Sequence, residues 1–348
     1  MVAVHQFMTL PEIRRAARRN LPPEVWDYAS GGAETETTLR RNRRAMGHYV
    51  FRPRVLRDVS EIDTRTTFLG MPLALPVMTA PMGSLHLLHP DGDLAMARAA
   101  GRMGTIHWLS TVTAYSPEEV AAAASGPLIF QLYFRGDNAW AERLIRRVEE
   151  AGYKGLCLTV DTAAYGRRER DLERRYDPRT QGRRAIDAPL DYRRQASLTW
   201  KDVEWLQRTT KLPLIIKGIQ CAEDARLAVE HGVPVVYVSN HGGRQLDYAP
   251  PTIEILEEIV DAVAGRAEVV VDGGFQRGTD VLKALALGAR AVCIGKAAAW
   301  GLAAAGEEGV ARTLELFGIE LRVAMANTGL TRLAEVSRSL VRRTCVCL

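Results

Sequence analysis

The sequence predicts an α/β fold, a (β/α)8 barrel, and three observations carry the prediction. From about residue 75, eight short apolar runs alternate with alanine-rich helical stretches. The runs are apolar throughout, as in "LPLIIKG" and "VVYVSN", which marks strands of a parallel sheet covered on both faces. Polar or ionisable residues end almost every run, and a barrel built for stability alone would have to desolvate each of them. Eight strands close a barrel of this type, and its chemistry gathers where strands pass into the following loops. A doubly wound open sheet is the competing arrangement.

Residues 1–50 read as a helical extension of three segments. "TLPEIRRAARRNL" has a threonine cap and an early proline, "PPEVWDYASGG" ends in a glycine pair, and "AETETTLRRNRRAMGHY" is strongly charged. The strand runs then follow: "LALPVMTAP", "GTIHWLS", "LIFQLY", "GLCLTVD", "LPLIIKG", "VVYVSN", "AEVVVDGG" and "RAVCIGK". Between them lie helices such as "DGDLAMARAAGRM", "NAWAERLIRRVEEAG", "AEDARLAVEHG", "TIEILEEIVDAVAG" and "RGTDVLKALALG". Residues 162–198 interrupt the rhythm between the fourth and fifth strands. They are polar, arginine-rich and weakly periodic, and are expected to form a mobile lid loop. After the eighth strand, "GEEGVARTLELFGIELRVAMANTG" and "RLAEVSRSLVRR" read as closing helices. The whole chain, 1–348, is expected to be one domain.

With 47% hydrophobic and 25% charged residues, the 348-residue chain can bury a core without covalent staples. Its five cysteines show no paired framework, so a reducing, cytoplasmic setting is expected. No signal peptide and no membrane span are expected. The final "CVCL" fits a prenylation box formally, but so short a pattern arises by chance. The formal charge of +5 is spread among acids, as in "RRERDLERRYDP", unlike a nucleic-acid stripe. A local arginine excess suits an anionic small molecule instead.

The strand ends, in order, present Ala80, Pro81, Met82 and Gly83; Ser110 and Thr111; Gln131 and Tyr133; Thr159 and Asp161; Lys217; Ser239, Asn240, His241 and Arg244; Asp272, Gly273 and Gly274; and Gly295 and Lys296. "SNHGGRQLD" is either a turn that needs its glycines or a base beside a carboxylate clamp. Gly273 and Gly274 permit close backbone approach, and the helix beginning "RGTDVLKAL" is expected to offer free N–H groups. With Gly295 and Lys296 this points to a phosphate held after strands seven and eight. No GxGxxG supports a Rossmann-type site. No metal is expected: His86 and His89 lack a cysteine pair or a third histidine.

Several segments together resemble the FMN-dependent 2-hydroxy-acid oxidase and dehydrogenase family, the group of glycolate oxidase, lactate oxidase and mandelate dehydrogenase. They are "LPPEVWDYASGGAE", "RPRVLRDVSEID", "FQLY", "LTVDTAAYGRRERD", "LPLIIKG", "VSNHGGRQLD" and "VDGGFQRGTDVLKALALGA". The likeness runs from about residue 5 to residue 340. It implies a (β/α)8 barrel, FMN, and commonly a homotetramer. It also implies roles for single residues. His241 resembles the proton acceptor for the substrate hydroxyl, and Asp161 its orienting partner. Arg244 and Arg168 resemble the carboxylate clamp, with Tyr28 and Tyr133 as hydrogen-bond donors. Lys217 would lie beside the flavin and stabilise negative charge there. Ser110, Gln131 and Thr159 would meet the flavin's polar edge, the backbone of Ala80, Pro81 and Met82 its ring, and Ser239 its side. Asp272 would bind the ribityl chain, and Gly274 and Gly295 the phosphate.

The chain departs from that pattern in places. Gln276 stands where an arginine usually faces the phosphate, and Lys296 where a second arginine usually follows Gly295. Val112 replaces a tryptophan of the glycolate oxidase type, while Tyr165 and Met82 add bulk elsewhere. The lid is shorter than in glycolate oxidase. These features imply an L-2-hydroxy acid bulkier than glycolate, mandelate-like in kind, oxidised to its 2-keto acid. Gly83 matches a small residue of mandelate dehydrogenase and hints at a quinone-like acceptor, with oxygen the other candidate. Hydride transfer and a carbanion route both stay open. An FMN-dependent isomerase or a non-catalytic flavin-binding protein are the competing functions. Neither needs His241, Arg168 and Arg244 grouped around a carboxylate.

Overall fold

The computed structural model describes residues 4–187 and 192–344. Cys345, Cys347 and the "CVCL" terminus lie outside the described residues. Eight parallel strands close into a barrel: Val77–Met82, His107–Ser110, Leu128–Leu132, Leu156–Thr159, Leu214–Ile219, Val235–Val238, Glu268–Val271 and Ala291–Ile294. The eighth pairs with the first through Val292 opposite Val77, which closes the ring. The predicted barrel is therefore the fold.

Alternate residues of each strand face two different cores. Val235 and Tyr237 point into the barrel, whereas Val236 and Val238 meet the surrounding helices. Both environments are apolar, which is why the runs show no polar alternation. Inside the barrel, Trp108 meets Tyr237 edge to face at 5.3 Å. Phe68, fully buried, comes from the hairpin Thr66–Phe68 and Met71–Leu73 and packs on Trp108 at 5.9 Å. This hairpin precedes the first strand and plugs the end away from the strands' C-termini.

Helices Leu10–Asn20, Pro23–Ser30 and Thr37–Arg44 form the N-terminal extension, as expected. The first two stack on the long final helix Lys296–Thr328, with Trp26 and Trp300 6.5 Å apart. The third docks over the mouth of the barrel. Gly243 and Gly274 accept it: both have positive φ, and a Cβ would lie 2.5 Å from Leu39 N or from Asn42 O, respectively. At Gly274, then, the missing side chain makes room for a helix as well as for any ligand.

The closing region differs from expectation in two places. Lys296 begins the final helix instead of ending a strand, and that helix breaks its backbone geometry at Ala305 and Gly306. "RLAEVSRSLVRR" is not a helix. It folds as two 3-10 turns, Leu333–Glu335 and Arg338–Leu340, and a strand, Val341–Arg343. That strand pairs antiparallel with Tyr49–Phe51, so a tertiary partner overrides local helix propensity.

Candidate active site

The mouth at the C-terminal ends of the strands is a cleft roofed by the third N-terminal helix and by residues 162–187 and 192–198. The latter carry short helices at Glu169–Glu173 and Arg193–Ala196 and a 3-10 turn at Pro178–Thr180. They are fastened to the body: Arg174 ion-pairs with Asp27, and Gln195 Nε2 donates to Thr159 O at 2.6 Å.

"SNHGGRQLD" performs several tasks after the sixth strand. His241, Gly242 and Gly243 all have positive φ, the left-handed region. For a histidine this conformation costs on the order of 1–2 kcal/mol. Surrounding bonds hold it. His241 N donates to Ser239 Oγ at 3.1 Å, and Gly243 N to Asn240 O at 3.0 Å. Asn240 and Asn42 exchange side-chain hydrogen bonds at 2.9 Å, which ties the loop to the third helix. Asp247 accepts from Thr38 N at 2.7 Å and from Thr35 Oγ1 at 2.6 Å, and so caps that helix from across the mouth. Burial opposes ionisation of Asp247, but the Thr35, Thr38 and Thr37 hydrogen bonds hold its pKa down at about 2. The motif is thus both a site loop and a clasp.

The imidazole of His241 is placed by neighbours on two sides. Its Nδ1 lies 3.0 Å from Asp161 Oδ1, and its Nε2 lies 3.2 Å from the Tyr133 hydroxyl. Burial pushes the His241 pKa below its usual value, although Asp161 pulls the other way. Burial likewise opposes the Asp161 charge, but His241 and Lys217 outweigh it and the carboxyl lies below its usual range. The ring is neutral near pH 7 and its partner ionised. Asp161 Oδ2 is buried without a hydrogen-bond partner.

Arg168 and Arg244 share the Tyr28 ring, with guanidinium carbons 5.8 and 5.1 Å from its centroid. Arg244 Nη1 donates to Tyr28 O at 2.7 Å and Gly31 O at 2.9 Å. Arg168 Nη1 donates to the Tyr165 hydroxyl at 2.6 Å, which locks Tyr165 onto the pair. The Tyr28 hydroxyl donates to Gly83 O at 3.1 Å. Met82 and Val112 also line this cleft, and a Cβ on Gly83 would press on Val112 at 2.9 Å.

Below the cleft, Lys217 Nζ donates to Ser239 Oγ at 2.9 Å and lies 3.8 Å from Asp272. Burial disfavours its charge, but Asp161 and Asp272 overcome this and raise its pKa. Ser239 Oγ donates onward to Asp272 Oδ1 at 2.8 Å. Ser110 Oγ donates to Gln131 Oε1 at 2.7 Å, and Gln131 Nε2 to Thr159 Oγ1 at 2.9 Å. These three buried groups form a chain behind the cleft wall, whereas Ala80, Pro81 and Met82 lie on it.

One expectation about the phosphate end is corrected. The helix Gly278–Ala286 does not present a free N-terminus. Glu320 accepts from Gly278 N at 2.8 Å and pairs with Arg277, while Asp280 accepts from Gln276 N at 3.0 Å and pairs with Arg43. The uncapped start is that of the following helix: Gly295 supplies no side-chain cap, and Lys296 is its first residue. Lys296 Nζ donates to Gly242 O at 3.0 Å. Burial, then Arg244 and Arg168, push its pKa well down. Gln276, Gly274, Gly295 and Lys296 do line one end of the cleft.

Contributors not foreseen include Arg43 and Asn42 from the third helix, Asp247 as its cap, and Arg135, Arg179 and Tyr192 on the cleft wall. For Arg135 a signal existed. It lies two residues after Tyr133, the spacing that returns a side chain to the same face of a strand.

A closed barrel with a His–Asp pair, two arginines and a buried lysine at its C-terminal mouth is a barrel enzyme for a small organic anion. Known proteins define it further. Residues 17–343 match the model of the FMN-dependent dehydrogenase family. Glycolate oxidase from Spinacia oleracea is 46% identical over 351 residues, spanning 96% of this chain and 95% of that protein. The crystal structure of mandelate oxidase superposes with a TM-score of 0.91 at 41% identity, covering 98% of this chain and all of the other. A soluble mutant of the membrane-associated (S)-mandelate dehydrogenase from Pseudomonas putida gives 0.91 at 35% identity over 97% of this chain. The chain belongs to the family of FMN-dependent 2-hydroxy-acid oxidases and dehydrogenases. It is an enzyme that uses FMN to oxidise a 2-hydroxy acid to the 2-keto acid and passes the electrons to an acceptor. Among the described residues, no helix is long and apolar enough to cross a membrane.

The residues present fit FMN. An uncapped helix start, a lysine and two glycines suit a phosphate. A buried cation beside a chain of amide and hydroxyl groups suits the polar, electron-accepting side of an isoalloxazine.

Proposed function

We propose that the substrate is an L-2-hydroxy acid bulkier than glycolate and mandelate-like in size. The carrying observation is one cleft that joins the His241–Asp161 pair to Arg168 and Arg244. In this reading Arg168 and Arg244 hold the carboxylate, helped by the Tyr28 hydroxyl. Neutral His241 takes the hydroxyl proton at Nε2, and Asp161 at Nδ1 favours the imidazolium that forms. Tyr133 donates toward the substrate oxygen. Bound FMN supplies the two-electron acceptor. Lys217 would be the fixed cation for its ring, and Ser110, Gln131, Thr159 and Ser239 would hold its polar groups. The backbone of Ala80 to Met82 would flank its ring, Asp272 would hold the ribityl chain, and Gly274, Gln276, Gly295 and Lys296 would hold the phosphate. Tyr165, Met82 and Val112 shape the substrate end. The small side chain of Val112 supports a substrate larger than glycolate.

The experiment is anaerobic mixing of the FMN-loaded protein with a panel of 2-hydroxy acids while the flavin absorbance is followed. Bleaching by larger L-acids, and weak bleaching by glycolate, is expected. No bleaching by any member would favour a non-catalytic flavin protein. Hydrogen peroxide yield against dye reduction in air separates oxygen from a quinone-like acceptor. A homotetramer is expected from the family, and sedimentation velocity measures it.

A further inference from the structure

The cleft continues beyond the groups assigned to the reacting end. Arg135, Arg179 and Tyr192 line its far part. Arg135 is only 6% exposed, and its guanidinium carbon lies 5.4 Å from the Tyr133 ring and 5.0 Å from the Tyr192 ring. Tyr133 touches His241 with its hydroxyl. Arg135 therefore stands about one aromatic ring away from the base.

Among the described residues its charge is not balanced. Nη2 donates to the Tyr192 hydroxyl at 3.0 Å, a neutral partner. Nε is buried with no hydrogen-bond partner. Among the described residues no carboxylate ion-pairs with it, whereas neighbouring Arg179 is neutralised by Asp177 at 2.8 Å. Arg184 adds to the excess: burial and then the charge of Arg135 depress its pKa. Buried arginines are almost always paired, because an uncompensated charge in a low dielectric is costly. Stacking on two tyrosines offsets part of that cost, but among the described residues Nη1 has no hydrogen-bond partner. A guanidinium that lines the cleft with an uncommitted donor is a group that receives a carboxylate.

We propose that Arg135 binds a second carboxylate of the substrate, so that the enzyme prefers 2-hydroxy acids bearing a further carboxylate at the end remote from the hydroxyl carbon. This rests on the reading of the cleft as a 2-hydroxy-acid site. The first carboxylate lies with Arg168 and Arg244, and the second satisfies the cation one ring further on. A neutral distal group leaves Arg135 unpaired and is discriminated against.

Matched pairs of substrates test this: 4-carboxymandelate against mandelate, and 2-hydroxyglutarate against its 5-amide. The readout is kcat/KM for anaerobic flavin reduction in the parent, Arg135→Met and Arg135→Lys. The parent should favour the diacid of a pair by about tenfold or more, a gap of the size one charge-assisted contact provides. Arg135→Met should bring the ratio close to one, and Arg135→Lys should keep part of it. A parent ratio near one overturns the proposal. So does an equal loss on both members of a pair in Arg135→Met with a lowered melting temperature, which marks a stacked structural arginine. If no 2-hydroxy acid bleaches the flavin, the reading of the cleft itself fails. Dissociation constants of the corresponding keto acids, taken from flavin spectral shifts, then decide separately whether Arg135 selects a second carboxylate.

Discussion

His241 Nδ1 and Asp161 Oδ1 lie 3.0 Å apart although the two residues follow different, non-adjacent strands. Asp161 comes just after the fourth strand and His241 after the sixth; the fifth, carrying Lys217, runs between them. Curvature of the closed barrel brings the two together over that lysine. The pair therefore depends on closure of the sheet, which no local pattern encodes.

The first prediction follows from the charge balance of this pair. His241 must be neutral to accept a proton, and burial holds its pKa below 6.5 against the pull of Asp161. Anaerobic flavin reduction should rise with pH through a pKa below 6.5 and then level off. Asp161→Asn removes the charge that raises the histidine pKa, so its acid limb should move to lower pH. The plateau should fall by about 10²-fold or more, because the imidazolium loses its counter-ion. His241→Ala should retain FMN and lose about as much rate. Stopped-flow reduction across the pH range measures all three; an acid limb that moves upward in Asp161→Asn contradicts the assignment.

The second concerns the phosphate. The two arginines nearest Gln276 are already engaged, Arg277 with Glu320 and Arg43 with Asp280. Among the described residues, Lys296 is the other basic group on that wall; burial and the nearby arginines push its pKa well down, and it spends a hydrogen bond on Gly242 O. Gln276→Arg should therefore tighten FMN by about 1 kcal/mol, or roughly fivefold in Kd. Fluorescence titration of apoprotein with FMN reads this. Riboflavin, which lacks the phosphate, should show no gain. An equal gain for both would place residue 276 away from the phosphate.

Much of this molecule could be read from its residues. All eight strands were visible because each is buried on both sides and so stays apolar along its length. The helices Pro117–Ala123 and Trp200–Thr209 were harder to see, being short or placed after the arginine-rich insertion, yet each begins with a capping box, Ser116 with Glu119 and Thr199 with Asp202. The segment after residue 331 was misread because its order comes from pairing with Tyr49–Phe51, almost 300 residues away. The site showed the same division. His241, Arg244, Asp161 and Lys217 announce themselves at strand ends. Arg43 and Asp247 do not, since a charged helix and a loop aspartate look solvated until the third helix is seen docked on the mouth.

That docking gives the third prediction. The Asp247 pKa is depressed from 3.8 to about 2 in the folded chain. A depressed carboxyl contributes stability above its unfolded pKa and loses it as pH falls through the folded value. The contribution is about 2 kcal/mol at neutral pH and should disappear between about pH 4 and 2. Asp247→Asn should lower stability by about that amount at pH 7, with a much smaller difference from the parent near pH 2. Denaturant melts at both values test this. An equal deficit at both would mean that packing, and not ionisation, holds the clasp.

The fourth separates the two tasks of Arg244. One nitrogen, Nη1, is committed to Tyr28 O and Gly31 O, at the end of the second N-terminal helix. Arg244 and Arg168 line the same cleft. Arg244→Lys keeps a charge but loses the planar fork. It should weaken binding of a 2-hydroxy acid much more than binding of its amide, by about 1–2 kcal/mol of difference, the size of a charge-assisted bidentate contact. Arg168→Lys should show the same selectivity. The loss of the Tyr28 and Gly31 contacts is a different quantity and appears as a lower melting temperature with any ligand. Dissociation constants for acid and amide, read from flavin absorbance in the parent and both variants, give the first; thermal melts give the second. Equal weakening of acid and amide, with a large drop in melting temperature, would make Arg244 a helix-anchoring residue. The carboxylate would then have to be held by Arg168 and the Tyr28 hydroxyl alone.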